Sequence, residues 1–95
     1  MVKCYVIKNK KSEYFMTNGY HFEELGNRTK FFKEYRDAYK ELEIARNNQV
    51  WDLLEQIYNT DRFHIDVKLD EFENVAEHVD LIIKAVDISE SSSLI

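Results

Sequence analysis

Asp70-Glu71-Phe72-Glu73-Asn74-Val75-Ala76-Glu77-His78-Val79-Asp80-Leu81-Ile82-Ile83-Lys84-Ala85-Val86-Asp87 is the stretch that decides what kind of domain this chain forms. Read as one helix over 71–87, it repeats Phe72, Val75, Ala76, Val79, Ile82, Ile83 and Val86 at i, i+3, i+4, i+7. Those seven side chains span an arc of about 120° at 100° per residue. Asp70 with Glu73 then makes an Asp-x-x-Glu N-terminal cap. The rival reading is a shorter helix followed by a strand through Leu81–Ile88, because Ile-Ile-Lys-Ala-Val is also strand-like. The helix is preferred because the polar residues keep helical spacing as well. Glu73, Glu77, Asp80 and Asp87 fall on one adjoining stripe, interrupted by Lys84.

Upstream, residues 63–69 alternate, with Phe63, Ile65, Val67 and Leu69 on one face and His64, Asp66 and Lys68 on the other. That pattern predicts a half-buried strand near 63–69. Val50, Trp51, Leu54, Ile57 and Tyr58 predict a helix from about Gln49 to Tyr58, ended by Asn59-Thr60-Asp61. Tyr35, Ala38, Tyr39, Leu42 and Ala45 predict another from about Glu34, broken at Asn47-Asn48. At the N-terminus, 2–8 and 13–17 read as a β-hairpin joined by Asn9-Lys10-Lys11-Ser12. Tyr5 and Ile7 then share a face with Tyr14 and Met16, with Val6 and Phe15 opposite. Gly19 and Gly26 bracket an adaptable loop, and Thr29–Phe32 adds a third short strand. The expected architecture is a single α+β domain over 1–88, ordered β-β-(β)-α-α-β-α. A small antiparallel sheet packs against two or three helices, and the Ser-rich 89–95 is a frayed tail.

The 95-residue length bounds the chain to one core. Thirteen aromatic residues (six Phe, six Tyr, one Trp) give that core large side chains. The single Cys4 excludes an internal disulfide and fits a reducing compartment. No apolar run reaches membrane-spanning length and no signal-peptide h-region follows Met1, so a soluble, cytoplasmic protein is expected.

Charge is sorted along the chain. Residues 1–48 carry ten Lys/Arg and seven Asp/Glu (10 − 7 = +3), and residues 49–95 carry three and eleven (3 − 11 = −8), summing to −5. Such asymmetry suggests a surface built to meet opposite charge. In the acidic half, Glu73, Glu77, Asp80 and Asp87, with Leu81 as the large apolar residue outside the core arc, form the candidate partner-binding stripe. Like charges at helical spacing destabilise a helix, and Asp52, Glu55 and Asp61 enlarge the excess. In the basic half, Lys10 and Lys11 crowd the hairpin turn, while Lys33, Arg36 and Lys40 gather on the first helix near Tyr and Phe. This is an alternative, nucleic-acid-facing surface. Asp37 and Glu41 on the same helix favour a solvated face instead.

Catalytic and cofactor motifs are absent, and neither a metal nor a cofactor is expected. His64 and Asp66 on one strand face are the best acid/base or metal pair, but they lack a third ligand. His78 has no His-Glu-x-x-His partner, His21 lies in a loop, and Cys4 reads as a buried hydrophobe. The chain is therefore read as a non-enzymatic protein. The sequence does not set an oligomeric state, and a dimer is compatible with it.

Tyr5-Val6-Ile7-Lys8-Asn9, then Tyr14-Phe15, then Lys30-Phe31-Phe32 and an Ala-containing amphipathic helix resemble small phage or prophage accessory proteins of low-GC Gram-positive bacteria. The resemblance covers residues 3–45. It implies an accessory protein acting inside a bacterial host by binding, of the anti-defence or DNA-mimic type. The function expected is an interaction or inhibitor protein that binds a basic patch of a host protein through its acidic C-terminal surface. The alternatives are an immunity-type inhibitor of a toxin nuclease and nucleic-acid binding through the basic half.

Overall fold

The first strand, β1 (Val2–Asn9), has neighbours along both edges, and the rest of the domain is arranged around it. The computed structural model describes residues 2–88. In chain order they form β1, β2 (Tyr14–Met16), β3 (Phe22–Glu24), α1 (Tyr35–Tyr58), a 3-10 turn (Arg62–His64), α2 (Leu69–Ala76) and β4 (Leu81–Ile88). The sheet is antiparallel in the order β3-β2-β1-β4, so the expected α+β class, a small antiparallel sheet with two helices, is what the chain adopts.

β4 pairs with all of β1, from Val2 opposite Ile88 to Asn9 opposite Leu81. On its other edge, β1 takes β2 through Lys8 opposite Phe15. Beyond that it takes Phe32, which exchanges two 2.8 Å backbone bonds with Tyr5. Cys4, Val6 and Ile7 are fully buried as a result. The register puts Ile7 and Met16 on one face and Val6 and Phe15 on the other, as the alternation predicts. Ile7, Met16 and Leu81 join Phe32, Ala38, Ala45, Val50, Leu54 and Val79 in one core.

The predicted helix over 71–87 is not found: α2 ends at Ala76 and a strand follows. Bonds from His78 N to Val75 O and Val79 N to Ala76 O, both 3.0 Å, tighten the last turn and stop it. Both periods fit the apolar residues here, and pairing decided between them. Without β4, an entire edge of β1 would lack hydrogen-bond partners inside the core. The cap also differs, because α2 starts at Leu69 with Lys68 as N-cap, leaving Asp70 and Glu71 in its first turn.

The predicted strand near 63–69 is likewise absent. Asp61 Oδ1 accepts from Phe63 N at 3.0 Å, and His64 N donates to Asp61 O at 3.1 Å. This Asp-initiated turn curls the chain before it can extend. The third strand of the sheet lies at Phe22–Glu24, inside the stretch read as an adaptable loop. Thr29 and Phe32 make only isolated bridges. A Cβ at Gly19 would sit 3.1 Å from the His21 ring, which accounts for the glycine there. The segment 89–95, expected as a frayed tail, lies outside the described residues.

α1 is one helix of 24 residues, about 36 Å long, with no break at Asn47-Asn48. Its buried residues are Ala38, Ala45, Val50 and Leu54. Ala38 and Leu54 are 16 residues apart, which at 100° per residue sets them about 160° around the axis. The helix therefore buries one side in its first half and nearly the opposite side in its second. The apolar stripe changes phase at the asparagines while the backbone continues. An interior Asn costs at most about 0.7 kcal/mol, less than the roughly 1.5–3 kcal/mol from burying each of Val50 and Leu54.

Candidate interaction surface

The second half of α1 carries a lobe of its own. Trp51 meets Phe72 of α2 edge-on, with centroids 5.6 Å apart and planes at 60°. Ile65, Val67, Val75 and Ala76 pack against the same core. Asn59 closes α1 in the left-handed conformation (φ 53°), and its N–H returns to Glu55 O.

Arg62 then ties the turn to the helix. Its Nη2 donates to Asp52 Oδ1 and Glu55 Oε1, each at 2.9 Å, and its backbone N–H donates to Glu55 Oε2 at 3.0 Å. Those donors hold the Glu55 carboxyl below its ordinary range. Asp61 is held low chiefly by His64, whose Nδ1 is 2.8 Å away. Tyr58 donates its hydroxyl to Glu71, which keeps the phenol protonated to higher pH.

Outside these ties, the lobe presents apolar side chains within an acidic field. Phe63 is 90% exposed, Leu69 74%, Ile57 65% and Tyr58 43%. Residues 49–79 contain Asp52, Glu55, Asp61, Asp66, Asp70, Glu71, Glu73 and Glu77 against Arg62 and Lys68, a balance of 2 − 8 = −6. Arg62 is already engaged by two of those carboxylates. The lobe thus offers wet hydrocarbon ringed by negative charge.

The structure brings together only part of the predicted acidic stripe. Glu73 and Glu77 remain exposed neighbours at the end of α2. Asp80 lies in the connection to β4, 3.5 Å from Lys11 Nζ. Asp87 stands on the sheet opposite Lys3. Leu81, expected to anchor a contact, is 5% exposed and belongs to the core. One stripe required one helix, and the strand at Leu81–Ile88 dissolves it. In its place stand Asp66, Asp70, Glu71, Ile57, Phe63 and Leu69. Phe63 and Leu69 looked core-facing because they ended an alternating run; the Asp61 turn swings that run's first residue into solvent.

His64 bonds Asp61 rather than making a pair with Asp66. His21 and His78 are exposed, and Cys4 is buried. Among the described residues, no three or more His, Cys, Asp or Glu side chains are grouped so as to hold a metal ion. No helix there is long and apolar enough to cross a membrane.

Lys10, Lys33, Arg36 and Lys40 are exposed and have no ion pair among the described residues. Glu41 does not neutralise them. It accepts from Tyr20 Oη at 2.5 Å and from Lys30 Nζ at 3.3 Å, and the Tyr20 bond above all holds its carboxyl low. A shallow depression on the other face of the sheet is lined by Glu13, Tyr14, Phe15, Leu25, Lys84 and Val86 among others.

Comparison with protein families, with curated proteins and with solved structures finds no match to this chain.

Proposed function

We propose that this chain is a non-enzymatic binding protein whose acidic lobe, formed by the second half of α1, the 3-10 turn and α2, docks on a basic patch of a partner protein. An inhibitor of a host protein, encoded by a phage or prophage, is the form of this reading that the N-terminal resemblance suggests. One observation carries it above all. Phe63, 90% exposed, stands in a lobe of net charge −6 beside Leu69 and Ile57. Carboxylates alone serve solubility, and single exposed hydrophobes are ordinary. An aromatic set among like charges is the composition of an interface, in which an apolar anchor supplies affinity and the acidic rim steers approach.

The test uses the tagged protein as bait in a bacterial lysate, with captured proteins identified by mass spectrometry. Glu73→Lys with Glu77→Lys should slow association with the captured partner, and Phe63→Ala should hasten its dissociation. The wild-type association rate should fall with added salt as the Debye length shrinks from about 10 Å at 0.1 M to about 3 Å at 1 M. Reversing Lys33, Arg36 and Lys40 to Glu should leave capture intact. Loss of capture on that reversal, or retardation of DNA in a gel at physiological salt, would transfer the function to the basic half.

A further inference from the structure

β4 is an edge strand. Among the described residues it pairs with β1 on one side and with no strand on the other. It runs eight residues without proline or glycine, which are the devices that most often blunt an edge. Which of its backbone groups face outward follows from the ladder. Lys10 N donates to Asp80 O at 2.8 Å, in line with the β1–β4 register. Bonded pairs alternate along an antiparallel ladder, so Ile82, Lys84 and Val86 bond inward to β1. Leu81, Ile83 and Ala85 turn their N–H and C=O groups outward. On the other edge of β1 the parity agrees, since Tyr5, opposite Ala85, bonds away from β4 to Phe32.

We propose that this edge pairs with β4 of a second copy of the chain, antiparallel about a two-fold axis, to make one continuous sheet. An antiparallel edge is its own complement under such an axis. Charge selects the register. An axis at Lys84 would set two ammonium groups directly opposite each other, a destabilising arrangement. An axis at Ala85 separates them but leaves Lys84 opposite Val86. An axis at Ile83 pairs Leu81 with Ala85 and Ile82 with Lys84, so each outward group of Leu81, Ile83 and Ala85 finds a partner. It also sets Lys84 diagonally across from Asp80 of the second copy. Such diagonals are about 7–8 Å between backbones, within reach of a lysine. Lys84 and Ala85 are exposed and Ile82 is 36% exposed, so the seam is accessible. The lysine that guards the edge against indiscriminate pairing thereby fixes how two copies align.

Analytical ultracentrifugation of the full chain over about 1 µM to 1 mM tests this. A concentration-dependent rise from 11.4 kDa towards twice that mass is expected. Ala85→Pro removes an outward N–H and leaves the β1–β4 ladder whole, so it should abolish the dimer while the far-ultraviolet circular dichroism is kept. Should that variant lose its fold, Lys84→Glu decides, since it changes an exposed side chain only. It sets like charges across the seam and should weaken dimerisation roughly tenfold, and Asp80→Lys added to it should restore dimerisation. A wild type that stays at 11.4 kDa throughout, or a dimer that Lys84→Glu leaves unchanged, overturns the proposal.

Discussion

The two halves of α1 keep different company. The first lies on the sheet through the buried Ala38 and Ala45, small residues that let helix and strands approach closely. Its Glu41 is satisfied locally by Tyr20 and Lys30. The second half buries Val50 and Leu54 and packs Trp51 against Phe72, yet leaves Ile57 and Tyr58 in solvent beside Phe63 and Leu69. One end of the helix is organised for cohesion and the other also displays unspent apolar surface. Cohesion and recognition are thus divided along a single element, and the division falls where the buried face changes side.

The sharpest way to break this comparison is to break the helix between its halves. Asn48→Pro removes an interior hydrogen bond and clashes with the preceding turn, costing about 3 kcal/mol or more. Urea denaturation should show that loss in far-ultraviolet dichroism and in Trp51 fluorescence together, as one cooperative unit does. Two separate helices meeting at the asparagines would tolerate the proline, and an unchanged midpoint would count against a continuous α1.

A smaller effect distinguishes the cohesive half. Tyr20 holds a left-handed backbone (φ 62°) and donates to Glu41. Tyr20→Phe should cost about 1 kcal/mol, the usual worth of such a bond, read from the shift in urea midpoint.

The same pair has a pH signature. Glu41 has a folded pKa below its ordinary 4.5, so its contribution is full above that value and lost as pH falls through the lowered pKa. Glu55 and Asp61 add the same sign from the acidic lobe, through Arg62 and His64 respectively. Tyr20 is raised above its ordinary 10.0 by Glu41, so its contribution is full below pH 10 and lost as pH rises through the folded value. Urea midpoints across pH should fall on both flanks, and Tyr20→Phe should reduce the alkaline fall. An alkaline limb untouched by that variant would show that the Tyr20 bond carries no stability.

The smallest change in stability belongs to the display half. Phe63→Ala, at a side chain 90% exposed, should shift stability by no more than about 0.5 kcal/mol. A larger loss would mean that Phe63 is packed and cannot serve as an anchor.

The parts of this fold legible in the sequence are those fixed by neighbours in the chain. The β1–β2 hairpin, its alternation of faces and the end of α1 at Asn59 all follow from local pattern. What stayed hidden depended on distant partners. Leu81–Val86 satisfies both a helical and an alternating reading, and only the open edge of β1, more than seventy residues earlier, selects the strand. At Asn47-Asn48 the apolar stripe shifts because two different structures, sheet and α2, cover the helix in turn. A stripe read alone takes that shift for a break. The candidate surface suffered from the same cause. Its acidity was visible in composition, but Leu81 and Phe63 exchanged places between core and solvent once the strand and the Asp61 turn were set.

The pairing of β1 with β4 also sets how the chain must fold. Its contacts join residues separated by 81 − 9 = 72 to 88 − 2 = 86 positions, whereas α1 and the β1–β2 hairpin close over short loops. Long loops lose more chain entropy before any contact repays it, and dominance of distant contacts slows folding. Helix and hairpin should therefore form first, with an exposed edge on β1 until β4 arrives. During that interval Cys4, Val6 and Ile7 lie along an unpaired strand, the kind of segment that seeds aggregation. Refolding yield should accordingly fall as protein concentration rises, even under conditions in which the finished domain is stable.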